Sequence, residues 1–248
     1  MDQHKTALIS GGTSGIGLAC AAVLMERGWN VIINGRDVSR GNEALTALTA
    51  GNAAVFVPGD VSTELSCRQI VHDAFQAFGR LDGLVTSAGV YGESLIDDVD
   101  TEEISRLFSI NVYGTMLLCK YALPYLRRTR GAIVTVGSDA GLQGNIACSV
   151  YSATKGAVIA FTKSLALEEA PHGVRANCIC PGDVATPLLE RQMKDNPALS
   201  EDSIKEQYPL YRIARASEIA KVAAFLLSDD ASYVTAAAWP VDGGLTSW

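Results

Sequence analysis

Short apolar runs rich in β-branched residues alternate with helix-period segments along the whole chain, and this alternation constrains the fold more than any other feature. The strand-like runs are Thr6–Ser10, 30–34, 53–57, 81–86, Ala132–Val136, 174–179 and 237–241. Helical patterns start near Gly15 and recur over 64–78, 101–128, 151–169 and 217–228. In the first of them Ile16, Ala19, Cys20, Val23 and Leu24 share one face, and Gly28 stands where a cap is needed. A strand, helix, strand rhythm of this kind builds a parallel sheet. It predicts an α/β chain, doubly wound, with about seven parallel strands and helices on both faces, as a single domain over 1–248.

Composition narrows the function classes. The chain carries 20 Lys and Arg against 27 Asp and Glu, a formal net charge of −7, which excludes a nucleic-acid backbone or an anionic membrane as the main partner. Its apolar runs are broken well short of the ~20 residues that cross a bilayer. The start, Met1-Asp2-Gln3-His4-Lys5, has no signal-peptide layout, so a cytoplasmic protein is expected. Six cysteines are scattered or, at Cys178 and Cys180, two apart in a strand, which predicts free and mostly buried thiols. Three histidines and no Cys-x-x-Cys pair leave no metal site.

Two motifs carry chemistry. Gly11-Gly12-Thr13-Ser14-Gly15-Ile16-Gly17 follows the first strand and opens the first helix, where glycines let a pyrophosphate reach backbone N–H groups. The spacing differs from Gly-x-Gly-x-x-Gly, and a glycine-rich turn without ligand is the plain alternative. Tyr151 and Lys155 stand at i and i+4 of a helix, where the ammonium can favour a phenolate, or where the two form a solvated surface pair. Ser138 lies just past a strand end, where doubly wound sheets bind ligands, and Asn111 lies in the preceding helix.

With Gly11, Gly15, Gly17, Asn111, Ser138, Tyr151 and Lys155 in this order, the chain resembles the short-chain dehydrogenase/reductase family from end to end. Pro181-Gly182, Thr186 and Val241-Asp242-Gly243-Gly244 extend the likeness, which is greatest to the 3-oxoacyl-carrier-protein reductase type in length and overall pattern. The resemblance implies a Rossmann domain and hydride transfer between NADP(H) or NAD(H) and a ketone or secondary alcohol. By it, Tyr151 is the general acid or base, Lys155 lowers its pKa and holds the nicotinamide ribose, Ser138 steadies the alkoxide, and Asn111 holds a water linking Lys155 to solvent. The cofactor would lie on Gly11, Thr13, Ser14, Gly15, Ile16 and Gly17, then Arg36, Asp60 and Val61, then Ser87, Ala88 and Gly89, and finally Tyr151, Lys155, Pro181, Gly182, Val184 and Thr186. A homotetramer is the family's usual assembly.

There are departures. Thr86-Ser87-Ala88-Gly89 stands where the family has Asn-Asn-Ala-Gly, replacing a bracing amide with hydroxyls, and Thr235-Ala236 replaces Thr-Gly before the last strand. In Asn34-Gly35-Arg36-Asp37, Gly35 takes the place of an acid that would bind the ribose hydroxyls, and Arg36 follows, which favours NADP(H). Asp37 leaves NAD(H) open if the strand runs longer.

Arg127, Arg128, Arg130, His172 and Arg175 form a basic cluster that suits either an acidic carrier protein or a CoA phosphate, or else solvated helix ends. The helix 151–169 is apolar around most of its circumference, as a buried element or a subunit interface is. The aperiodic segment 187–212, with three prolines and many charges, is expected to be a mobile lid with Leu188, Leu189 and Met193 facing inward. Val90, Tyr91, Asp139, Leu142, Asn145, Cys148 and Asp183 are the expected substrate contacts, Asp139 pointing to polar substrates. Three readings compete: a 3-oxoacyl thioester or other ketone reductase, a sugar, polyol or steroid dehydrogenase using NAD, and a non-catalytic nucleotide-sensing regulator on the same fold.

Overall fold

The computed structural model describes residues 4–48, 53–196 and 199–248. Its centre is a seven-stranded, all-parallel sheet of β1 (Thr6–Ser10), β2 (Asn30–Gly35), β3 (Ala54–Pro58), β4 (Gly83–Thr86), β5 (Ala132–Val136), β6 (Arg175–Pro181) and β9 (Ala238–Val241), in the spatial order β3-β2-β1-β4-β5-β6-β9. Neighbouring strands register residue for residue, as Leu8 with Ile32 and Leu84. Successive side chains leave opposite faces of a strand. Ala7, Ile9, Val31, Ile33 and Val134 therefore join one core, with α1 (Gly15–Glu26) and α9 (Ala216–Leu227), while Leu8, Ile32 and Ile133 join a second. That second core holds α3 (Glu64–Phe78), α5 (Gly114–Thr129) and α6 (Ser149–Glu169).

The predicted helix over 101–128 is interrupted. α4 (Thr101–Phe108) passes into a π-helical turn, Ser109–Tyr113, and then into α5. The inserted turn rotates the chain so that Asn111 and Val112 are both buried. An unforeseen helix, α2 (Val38–Ala47), escapes the hydrophobic pattern because the residues it buries are small: Gly41, where an added Cβ would lie 2.5 Å from the Phe56 ring, and Ala44.

The segment 187–212 packs more apolar surface than its prolines and charges suggest. It contains α7 (Pro187–Asp195) and α8 (Glu201–Lys205) and buries Leu189, Ile204 and Tyr208 in a small core of their own, with Met193, Leu199, Ile213 and Leu245 against it. Leu188 is partly exposed and, with Leu189, borders the cleft beyond the strand carboxyl ends. A two-stranded sheet, β7 (Val184–Ala185) with β8 (Ala214–Arg215), staples its two ends together.

Two members of the basic cluster are engaged within the fold. Arg127 makes two hydrogen bonds, of 2.8 and 2.7 Å, to the buried Glu169, and Arg175 donates to the carbonyls of Leu226, Val234 and Ser228. Arg175 also starts β6, so it lies at the end of the sheet opposite the strand carboxyl ends. A carrier protein seated there would deliver nothing to the crevice.

Ala236 adopts φ +60, the left-handed region where a side chain crowds its own backbone. Ala236→Gly is expected to raise stability by about 0.5–1 kcal/mol, the strain relieved less the entropy of the added freedom. A urea melt with an unchanged slope checks it.

Candidate active site

The strand order reverses between β1 and β4, and a crevice opens beyond their carboxyl ends. The turn after β1 is built for close approach. Gly11 has φ +64, and a Cβ there would stand 2.8 Å from Ala88 Cα; one on Gly17 would collide with the Gly11 carbonyl. Ala88 N–H donates to Ser10 Oγ at 3.2 Å, so a side chain at the end of β1 holds the backbone of the loop after β4. Ser14 begins α1 with no side-chain capping bond, and the first turn holds no acid, so its N–H groups remain available to an anion. These are the features a dinucleotide pyrophosphate needs, and the residues present fit it.

Thr13 packs on Gly35, which brings the turn to the end of β2. Arg36 is exposed there, 3.9 Å from Asp60 Oδ2, and Asp60 also accepts from Ser62 N–H at 2.9 Å. Val61 is buried beneath Gly114. Asp37 is spent elsewhere: its carboxylate caps α2 by accepting from Arg40 N–H at 3.1 Å. Gly15 faces Thr186, whose hydroxyl donates to the Val184 carbonyl at 3.1 Å.

On the other side of the crevice β5 delivers Ser138, and the first two turns of α6 deliver Tyr151 and Lys155 on its buried face. Ser138 caps a 3-10 turn, Asp139–Gly141, accepting from Ala140 N–H at 3.2 Å and donating to Asp139 Oδ1 at 2.7 Å. Lys155 donates to the Val136 carbonyl at 3.0 Å, with its Nζ 5.7 Å from the centre of the Tyr151 ring. Both side chains are buried rather than solvated. Burial pulls Lys155 down to about 8, the Cys178 and Cys180 thiols acting the other way. Burial pushes the Tyr151 phenol above its ordinary value; the Ser138 hydroxyl opposes this and the Asp139 carboxylate adds to it. The net direction at Tyr151 is therefore upward, contrary to what the Lys155 ammonium alone would do.

Asn111 serves as a clamp. Its amide donates to the Val90 carbonyl at 2.9 Å and to Thr154 Oγ1 at 3.1 Å, and its oxygen accepts from Val90 N–H at 2.8 Å. Its own backbone carbonyl takes the Thr115 hydroxyl at 2.9 Å. The side chain thus ties the loop after β4 to α6, and its amide hydrogens are not available to the expected water.

A cleft of about 510 Å³ joins these parts. Of the residues singled out in the sequence, Ile16, Ser87, Gly89, Ser138, Tyr151, Lys155, Pro181, Gly182, Val184 and Thr186 line it, as do Val90, Tyr91, Asp139, Asn145, Cys148 and Asp183. Leu142 does not, because the 3-10 turn ends there and leaves it exposed. Glu93 and Gln143 line the cleft without having been foreseen, while Gln192 and Gln207 enter it from the 187–212 segment. Tyr91 donates to Glu93 at 2.9 Å, lies 3.2 Å from Cys148 Sγ, and meets the Tyr151 ring edge-on at 4.9 Å. Tyr208 donates to Asp183 Oδ2 at 2.8 Å and fixes the outer wall to the turn after β6. Nothing near Tyr208 in the sequence signals this. All six cysteines are buried and unbridged. Among the described residues no cluster of His, Cys, Asp or Glu could hold a metal, and no helix is long and apolar enough to cross a membrane.

Comparison with known proteins agrees with this geometry. A family model described as enoyl-(acyl carrier protein) reductase matches residues 11–246. The L-fucose dehydrogenase of Mus musculus is 37% identical over 97% of this chain and 88% of its own. The chain belongs to the short-chain dehydrogenase/reductase family. It is an NAD(P)-dependent oxidoreductase by that membership. Among solved structures of the family, ElxO with NADP bound superposes with a TM-score of 0.93 at 31% identity, covering 99% of this chain and 100% of that one. The 3-ketoacyl-(acyl-carrier-protein) reductase of Brucella melitensis, complexed with NADH, gives 0.90 at 31% identity over 98% of each chain. Within the family pattern, Thr86 is a real departure: its buried hydroxyl has no hydrogen-bond partner, so the missing amide brace is not replaced in kind.

Proposed function

We propose that the protein transfers a hydride between NADP(H) and a ketone or secondary alcohol, with Tyr151 as the proton donor and acceptor. The observation that carries this reading is the buried Tyr151–Lys155 pair facing Ser138 across the floor of the cleft. When bound, the nicotinamide supplies or takes the hydride. Gly11, Thr13, Ser14, Gly15, Ile16 and Gly17 would hold its pyrophosphate side, Asp60, Val61, Ser87, Ala88 and Gly89 the adenosine side, and Pro181, Gly182, Val184 and Thr186 the nicotinamide.

The chain's own groups divide the remaining work. Tyr151, raised by burial, keeps its proton at neutral pH and gives it to a carbonyl oxygen; alcohol oxidation needs the phenolate, which the Lys155 ammonium favours. Asn111 keeps α6 and the loop after β4 in register, so that Tyr151 and the cleft wall hold their spacing. Leu189, Gln192 and Gln207 of the 187–212 segment stand on the outer wall, where that segment serves as the lid over the substrate.

Sugar or polyol oxidation is the second reading. It is favoured by three carboxylates in the cleft wall, Glu93, Asp139 and Asp183, which suit a neutral polyhydroxylated substrate better than the acyl chain of a thioester. The likeness to L-fucose dehydrogenase supports it. Initial rates over a panel of sugars, polyols, cyclic ketones, steroids and oxoacyl thioesters test both. No turnover of any member would leave the nucleotide-sensing regulator as the reading.

The preference for NADP(H) rests on exposed Arg36 and on Asp37 being engaged as a cap. Arg36→Ala should weaken NADPH by about 1.5–3 kcal/mol, the worth of a hydrogen bond to a charged group, and leave NADH nearly unchanged. Calorimetry with both cofactors decides; a wild type that prefers NADH would overturn the assignment. The proposed setting is a cytoplasmic homotetramer, for which the outer face of α6, with exposed Ala153, Ala160 and Leu167, offers an apolar surface.

A further inference from the structure

We propose that Asp139 is a specificity-determining residue that reads a hydroxyl on the carbon next to the reacting one. A substrate that carries this vicinal hydroxyl frees Ser138 to act on the reacting oxygen, and a substrate that lacks it leaves Ser138 tied to Asp139. The inference rests on the proposed hydride transfer in this cleft and names the substrate class within it.

Ser138 has one hydroxyl hydrogen, and it is given to Asp139 Oδ1 at 2.7 Å, a charge-assisted bond. Ala140 N–H fills one of the lone pairs of Oγ at 3.2 Å. Ser138 Oγ therefore offers the cleft a lone pair and no donor. A carbonyl oxygen or a developing alkoxide needs the opposite, a donor aimed at it. The resting Ser138–Asp139 pair thus opposes the step that Ser138 is placed to assist.

Asp139 is half-buried and lines the cleft, and its other oxygen receives only Asn145 Nδ2, at 3.3 Å. The carboxylate has room for another donor. Oxygens on adjacent carbons in a gauche diol lie about as far apart as hydrogen-bonded oxygens, ~2.8 Å. That matches the spacing of Ser138 Oγ and Asp139 Oδ1, so a diol can meet the pair oxygen to oxygen. Its second hydroxyl donates to Asp139, and the Ser138 hydroxyl turns about its C–O bond to donate to the reacting oxygen. No covalent bond is made or broken in this exchange. Lys155 is the sole cation among the residues lining the cleft, which also holds the Glu93 and Asp183 carboxylates, so a carboxylate or phosphate on the adjacent carbon would be repelled where a hydroxyl is welcomed.

The test is kcat/KM of the protein with NADP+, or with NAD+ if that binds better, on matched pairs: 2,3-butanediol against 2-butanol, cis-1,2-cyclohexanediol against cyclohexanol, and an aldose against its 2-deoxy analogue. The wild type should favour the hydroxylated member by about tenfold or more, the range expected for one hydrogen bond to a charged group. Asp139→Ala should lower the rate for the hydroxylated member and raise that for its partner, bringing the ratio near one, with Asp139→Asn between the two. Effects of opposite sign separate this role from damage to the fold, which lowers both rates. A second readout is calorimetric binding of the diols to Tyr151→Phe, which should weaken in Tyr151→Phe/Asp139→Ala. A wild-type ratio near one, or a ratio unmoved by Asp139→Ala, overturns the inference and leaves hydride transfer standing. A wild type inactive on every pair and on the wider panel overturns hydride transfer and the inference with it.

Discussion

Tyr151→Phe should lower kcat/KM by about 10²–10⁴-fold, the usual share of a positioned general acid, while cofactor affinity stays within a few-fold. The phenol is the only titratable group that lines the cleft beside Ser138, sits one helical turn from Lys155 and holds a proton at neutral pH. Phenylalanine keeps the ring, and with it the edge-on contact to Tyr91 at 4.9 Å, so the fold around the site should be undisturbed. The loss falls on the chemical step, because the proton donor is gone while the glycine turn after β1 is untouched. Single-turnover mixing of the reduced cofactor with a carbonyl substrate separates the two. Retained turnover with normal cofactor binding would remove Tyr151 from the mechanism.

What could be read from the sequence was local or periodic. Gly11 to Gly17 is interpretable because a strand and an amphipathic helix flank it, and Tyr151 with Lys155 because i and i+4 share a helix face whatever surrounds them. The sheet followed from apolar runs buried on both sides. What was hidden depends on partners distant in the chain. The π-helical turn at Ser109–Tyr113 places Asn111 between Val90 and Thr154, and no pattern within 101–128 encodes those contacts. Leu189, Ile204 and Tyr208 have no common period; two short helices collect them, and Leu245 from the chain's end packs against them. The partners of the basic residues are hidden for the same reason, since Arg127 turns to Glu169 and Arg175 to three carbonyls. The bond between Ser138 and Asp139 depends on side-chain rotamers, which the pattern of residue types does not specify.

Lys155→Met is expected to stabilise the fold while abolishing most activity. Burial pulls the ammonium down to about 8 from the ordinary lysine value of 10.5. The folded protein thus binds this proton less tightly than the unfolded chain does. The sign follows: the cost of burying the charge is full below pH 8 and fades as the pH rises through the window to 10.5, so this group makes stability increase with pH there. At neutral pH the cost is on the order of 3 kcal/mol. Methionine removes it but leaves the Val136 carbonyl, now 3.0 Å from Nζ, without its donor, a penalty of about 1–3 kcal/mol. The balance favours the variant by about 1 kcal/mol, or about 2–4 °C in Tm for a chain of this size. Turnover should fall by about a hundredfold or more, since no cation is left to favour the phenolate or to hold the cofactor ribose. In the wild type, kcat/KM for carbonyl reduction should be flat at neutral pH and fall above about 8, as Lys155 discharges while Tyr151 remains protonated. Thermal melts of the two proteins and the pH profile check the argument together. A lower Tm for Lys155→Met would show that the ammonium is a net stabiliser, and a profile flat through pH 9 would show that its charge is not required.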